Sequence, residues 1–245
     1  MVVNDDLLTT LADMAFLLAL GVMIPLILGK RVPIKWILAA VLLFLVHDFL
    51  VFNGFGLIPK LIDGLARNWQ GKLLALLFTL AVASHEGFGL RNCGITLAQT
   101  ERGRPLTYGV AITLLVGIAL WAATGDKSQW SAENALFQMT MPGLEEETFY
   151  RGVLLFALSK AFPESIRGLG VSVGWGAVLV AIMFGFGHGF YFSGGALVMD
   201  WWLAVNTGIT GAFLLWLRLR TGSIVLPVVV HNTGNLMPLL VAGLL

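Results

Sequence analysis

Long apolar runs separated by short polar connections dominate the chain. A helix needs about 20 mostly apolar residues to cross the hydrocarbon of a bilayer. Eight runs approach that length: residues 8–29, 34–52, 72–90, 105–124, 136–158, 172–190, 198–217 and 223–244. The first, second, fourth and seventh are the cleanest. The third is weakened at its end by Ser84, His85 and Glu86, and the fifth contains LEEETFYRG, which a hydropathy window alone would miss. Residues 53–71 are too polar to span, and their spacing predicts an amphipathic segment lying at the interface. GFGL occurs at 54–57 and again at 87–90, each time near the end of a run, as glycine-flexed helix ends would produce. The pattern predicts an all-α fold: a polytopic membrane helical bundle of about eight transmembrane helices. It forms a single integral-membrane domain over 1–245, without a linker or low-complexity tract.

Composition sharpens this picture. The chain is 58% hydrophobic and 12% charged, about half the charge of a typical soluble domain. Gly 29 and Trp 8 fit a membrane protein, and Trp201-Trp202 reads as an interfacial anchor. A net charge of +1 offers nothing to nucleic acid. Cys93 is the single cysteine, which excludes an intrachain disulfide and a cysteine-pair redox enzyme. MVVNDDLLTT has no basic n-region, so the first run is expected to be a retained span. The connections after runs one, three, five and seven hold Lys30, Arg31, Lys35, Arg91, Arg102, Arg104, Lys160, Arg167, Arg218 and Arg220. The alternate connections hold Lys60, Arg67, Lys72 and Lys127. Ten against four favours both termini on the outer side.

Ionisable residues within apolar runs are functional-site candidates by default, because burying one costs about 2.5–3.5 kcal/mol on insertion scales. Here they are Asp13, His47, Asp48, Glu145, Glu146, Glu147, Arg151, His188, Asp200 and His231. Asp13 and Asp200 lie near run ends, within expected reach of headgroups or water. His47 and Asp48 suit a structural hydrogen bond to a neighbouring helix. In LEEETFYRG, Glu147 and Arg151 are i,i+4 neighbours and predict an ion pair, which turns Glu146 to the face of Tyr150. Two readings stay open for this stretch, an ion-paired plug between helices or a site with one free carboxylate.

Two later runs bear on that choice. FGFGHGF places Phe184 and His188 at i,i+4, with Gly185, Gly187 and Gly189 crowding the histidine. PVVVHNTGN places His231 and Asn235 at i,i+4, and Pro227 is expected to loosen that helix and free a carbonyl. A carboxylate base, an imidazole to orient water and neutral donors for an oxyanion are what a water-activating site needs.

Glu146-Glu147-x-x-x-Arg151, Phe184-x-x-x-His188 and His231-x-x-x-Asn235, in that order on three apolar segments, resemble the CAAX protease and bacteriocin-processing family of intramembrane glutamate proteases. The resemblance covers about residues 136–240, and residues 1–130 add only further N-terminal spans. It implies an all-α bundle with a polar intramembrane cavity. By the same resemblance Glu146 is the base that activates water, with His188 assisting. His231 and Asn235 stabilise the oxyanion, and Glu147, Arg151 and Phe184 support them. The implied substrate is a peptide or membrane protein in the bilayer, prenylated (CAAX-like) or not. The implied location is the cytoplasmic membrane if the chain is prokaryotic.

Glu145 extends the motif to three acids, so its register rests on Arg151. No HExxH is present, since His85-Glu86 is followed at 89 by glycine. A mechanism without cofactor is therefore expected, with zinc on the glutamate and histidines as the lesser alternative. A rhomboid-type GxSG is missing, because Ser193-Gly194 lacks the first glycine, and GxGD is absent. A proton-coupled transporter and a non-catalytic scaffold or immunity protein remain as rivals.

Overall fold

A computed structural model gives the structure of residues 4–53, 64–100, 104–124 and 130–244. The helices are α1 (Asp5–Ile27), α2 (Ile34–Asn53), α3 (Trp69–Ser84), α4 (Arg104–Thr124), α5 (Ala132–Glu146), α6 (Leu155–Ala161), α7 (Trp175–Gly189), α8 (Trp201–Thr221) and α9 (Val225–Leu244). A π-helical stretch, Glu147–Leu154, joins α5 to α6 as one rod. With that rod counted once, each of the eight apolar runs has become a helical rod among the described residues. The fold is all-α, a helical membrane bundle.

By length and apolar composition α1, α2 and α8 suffice to cross a membrane, whereas α3, α7 and the apolar parts of α4 and α9 are shorter. At 1.5 Å per residue α3 reaches only about 24 Å, less than the roughly 30 Å of a hydrocarbon core. It begins at Trp69, inside the segment expected to lie at the interface, because Asn68 caps it by accepting from the Gly71 N–H at 2.9 Å. It stops at Ser84, six residues before the expected end, and turns through Gly89 in the left-handed region (φ 82°). The other copy of GFGL and most of the expected interfacial segment, residues 54–63, lie outside the described residues.

Two antiparallel hairpins interrupt the helical order, and the apolar pattern did not announce them. β1 (Ser165–Gly168) pairs with β2 (Val171–Gly174), and β3 (Phe190–Ser193) with β4 (Ala196–Met199). Each turns on two residues with positive φ, Leu169-Gly170 and Gly194-Gly195, the backbone that matches the twist of paired strands. The second hairpin is tied to the start of α1. Asp5 accepts from the Gly194 and Gly195 N–H groups at 2.7 and 2.9 Å, and Thr9 accepts from the Phe192 N–H at 2.9 Å.

Apolar side chains cover the outside of the bundle, with Ile27, Leu42, Leu120 and Trp202 all more than half exposed. Inside, Asp13, His47, Asp48, Glu145, Glu147 and Arg151 are buried. This inverts a soluble protein and is the arrangement a bilayer favours. Asp13 was expected near water, yet it is 2% exposed, because α1 extends from residue 5 and carries it inward. Asp200 behaves as expected: it is exposed and caps α8, accepting from the Leu203 N–H at 2.9 Å.

Close helix contacts use glycine and a side-chain latch. A Cβ on Gly185 of α7 would lie 2.4 Å from the Ala204 carbonyl of α8, so only glycine permits that approach. Between α9 and α5, Asn232 accepts from the Gly143 N–H at 2.7 Å and donates to the Thr140 carbonyl at 3.0 Å. Pro142, inside α5, has no N–H for the ladder at this place. Pro227 was expected to loosen α9. It sits in the first turn, where its missing N–H costs no helical bond, and the Ser223 carbonyl accepts from the Thr221 hydroxyl at 2.9 Å.

Asn232→Ala is expected to leave two buried backbone groups without partners, at about 1–3 kcal/mol each. Thermal unfolding in detergent should show a lower midpoint, and an unchanged midpoint would mean that Asn232 does not fasten α9 to α5.

Candidate active site

Glu145, Glu146 and Glu147 straddle the junction where α5 passes into the π-helical stretch, and each points to different partners. π-helical turns are rare and concentrate at functional places in helices. Glu145 faces α2 and α3. It is fully buried, with one oxygen on His47 Nε2 and the other 2.7 Å from Lys72 Nζ. Glu147 faces α9 and its own helix, where Oε1 accepts from Arg151 Nη1 at 3.1 Å and from His231 Nδ1 at 2.8 Å. The i,i+4 pair expected from spacing is thus present, in π rather than α geometry.

Glu146 lies between these two. Its Oε1 is 2.8 Å from Lys72 Nζ. Its Oε2 is buried and without a hydrogen-bond partner, 3.9 Å from both His188 Nε2 and His231 Nε2. Geometry therefore sets Glu146, not Glu145, opposite the two histidines.

The other ring nitrogen settles the tautomer of each histidine. His188 Nδ1 lies 2.7 Å from the Phe184 carbonyl, which can only accept. His231 Nδ1 meets the Glu147 carboxylate. Both Nδ1 atoms therefore carry the proton, and in the neutral rings both Nε2 lone pairs face Glu146 Oε2. Glu146 Oε2 and the His188 Nε2 lone pair are then two acceptors that a proton donor, such as water, would bridge.

Arg151 is fully buried. Its Nη2 donates to the Gly211 carbonyl at 3.0 Å, and its guanidinium lies over the Phe184 ring at 4.0 Å. Phe184 therefore touches Arg151 with its ring and His188 with its carbonyl. Asn235 stands one turn beyond His231, half-buried, and bonds to no described group. The structure thus gathers Glu146, Glu147, Arg151, Phe184, His188 and His231, while Asn235 is not bonded into the cluster.

Sequence reasoning missed Lys72, which it assigned to a connection and counted towards orientation. Lys72 belongs to the first turn of α3 and bridges two glutamates. The signal was there, a lysine at the first position of an apolar run, but only the fold brings α3 against α5. His47 does bond to a neighbouring helix as expected, and its partner is Glu145, so it joins the same network. The ring also stacks on Phe149 with centroids 3.6 Å apart.

The expected polar cavity takes a different form. The polar groups pack against one another, with side-chain exposure of 14% for Glu146, 10% for His231 and 35% for His188. Beside them lie two apolar cavities. One of about 520 Å³ runs between α7 and α8, and one of about 200 Å³ lies between α1 and the second hairpin. Phe186 and Phe190 line both, two residues either side of His188. Among the described residues no three His, Cys, Asp or Glu side chains are grouped as metal donors.

Histidines thus converge on a glutamate inside an all-α membrane bundle. Residues 128–237, somewhat under half of the chain, match the family model described as Type II CAAX prenyl endopeptidase Rce1-like, the same family that the motifs resemble. The match covers the rod of α5 and α6 and continues into α9, so it includes every motif. No curated protein and no solved structure matches the chain. The fold is a helical membrane bundle, and the part of it that carries the glutamate and the histidines is similar to a family of prenyl endopeptidases.

Arg151→Met would leave Glu147 buried without its cation, a loss of about 3–5 kcal/mol. Arg151→Lys should recover only part of it, since one ammonium cannot reproduce the fork that holds Glu147 and Gly211 together. Unfolding midpoints in detergent should rank wild type, Lys, Met; a Met variant as stable as wild type would contradict the pairing.

Proposed function

We propose that this protein is an intramembrane endopeptidase in which Glu146, without a metal, activates water against a peptide bond of a membrane-associated or prenylated substrate. The observation that carries this is Glu146 Oε2, buried, without a partner, and 3.9 Å from each histidine Nε2. In this reading a water donates one hydrogen to Oε2 and the other to His188 Nε2. Its oxygen attacks the scissile carbonyl while Glu146 takes the proton. The resulting oxyanion is met by the Asn235 amide and by His231, which donates from Nε2 as the imidazolium while Glu147 holds Nδ1. Collapse of the tetrahedral intermediate breaks the C–N bond, and Glu146 returns the proton to the leaving amine.

The apolar cavity of about 520 Å³ supports a substrate with a large apolar part, since Phe16, Ile182, Phe186, Trp201 and Val205 line it within reach of the histidine edge. The excess of lysine and arginine on one set of connections supports the termini lying on the outer face, in the cytoplasmic membrane if the chain is prokaryotic. The single-domain reading draws support from the mixing of halves, because α2 and α3 both contact the glutamate rod.

Purified full-length protein mixed with a peptide pool that includes farnesylated CAAX peptides should cut at a defined bond, located by mass spectrometry. Glu146→Gln is expected to lower kcat at least about 1000-fold with folding retained, consistent with loss of the group that takes the proton. Chelator should not change the rate. Cutting that persists in Glu146→Gln would defeat the glutamate mechanism, and inhibition by chelator would turn the two histidines into metal ligands.

A further inference from the structure

We propose that Lys72, on α3 and outside the matched segment, is a positioning residue of the hydrolytic site: its ammonium holds Glu146 Oε1 so that Oε2 is turned to His188 and His231. This role rests on Glu146 acting as the base.

Local structure places Lys72 tightly. Asn68 caps α3 through Oδ1 and donates from Nδ2 to the Val51 carbonyl at 2.8 Å, which joins the start of α3 to the end of α2. Gly71 sits against that same carbonyl, where a Cβ would lie 2.3 Å away. The next residue is Lys72, so its stem starts from a backbone that cannot drift, and its side chain is 14% exposed.

The head group is held from two sides. Nζ is 2.8 Å from Glu146 Oε1 and 2.7 Å from Glu145 Oε2. Glu145 is fastened in turn by His47 Nε2, and His47 Nδ1 is 3.6 Å from Asp48 Oδ1. Asp48, His47, Glu145 and Lys72 thus form an arm from α2 to Glu146. A carboxylate is planar, so fixing one oxygen sets the direction of the other. A displacement near 1 Å at such a group costs about 100-fold in rate. Neutralising Glu145 alone would not require Lys72 to reach Glu146. A bridge over both, with one Glu146 oxygen left unpartnered towards the histidines, is the arrangement that orients a reacting group.

The test compares full-length wild type, Lys72→Met, Lys72→Arg and Glu146→Gln on the peptide of the pool that wild type cuts, with unfolding midpoints measured in parallel. Lys72→Met, folded, is expected to lower kcat about 100-fold with KM nearly unchanged, and Lys72→Arg to recover most of that loss. If Glu146→Gln is inactive while Lys72→Met keeps its kcat, or loses only in KM, the proposal for Lys72 falls and the glutamate reading stands. It falls equally if Lys72→Arg is folded but no faster than Lys72→Met. Cutting by Glu146→Gln, or none by wild type, removes the base reading and this inference with it. Should Lys72→Met unfold, Lys72→Gln carries the same expectation, and unfolding of both assigns Lys72 to packing and overturns the proposal.

Discussion

Three neighbouring carboxyl groups stand in the middle of an apolar bundle, and the contacts at its centre answer to that. Each glutamate of the run has been given a cation or an imidazole: His47 and Lys72 for Glu145, Lys72 for Glu146, and Arg151 of its own helix with His231 of α9 for Glu147. Taking charges out of water costs several kcal/mol per ion, and pairing in low dielectric offsets this only where geometry is good. Consecutive helix positions are turned about 100° from one another, which lets the three side chains diverge towards α3, α7 and α9. Without divergence, three acids on one short stretch would compete for the same partners.

The network also explains why the N-terminal helices matter to a site whose motifs all lie later in the chain. The matched segment contains Glu146, His188 and His231, but the groups behind the glutamates come from α2 and α3. The polar centre is therefore shared between the two halves, and α1 to α3 do more than pad the bundle. On the far side the Phe184 ring under Arg151 and the Phe184 carbonyl on His188 link the ion pair to the histidine edge, so one residue couples packing to orientation.

Much of the fold and of the site is legible in the amino-acid sequence alone. Apolar run length predicts the eight rods because a bilayer demands about 20 apolar residues per helix. The i,i+4 spacings predict the Glu147–Arg151 pair and the Phe184–His188 contact, since such neighbours meet on any helix. What sequence reasoning misses has physical causes. The hairpin at Gly194-Gly195 carries a turn signal but is hidden between two apolar runs. The hairpin at Leu169-Gly170 carries less, because leucine seldom adopts positive φ. Asp13 looks peripheral only while α1 is taken to begin at residue 8.

Local chemistry in the sequence determined the helical class, the membrane environment and the candidate residues, because hydrophobic period and helical spacing act over a few turns. Only the tertiary structure decided which glutamate oxygen is free, which histidine nitrogen faces it, and that Lys72 and His47 stand behind it. Those outcomes depend on contacts between residues 42 to 98 positions apart, and no periodicity along the chain encodes which helix will lie against which.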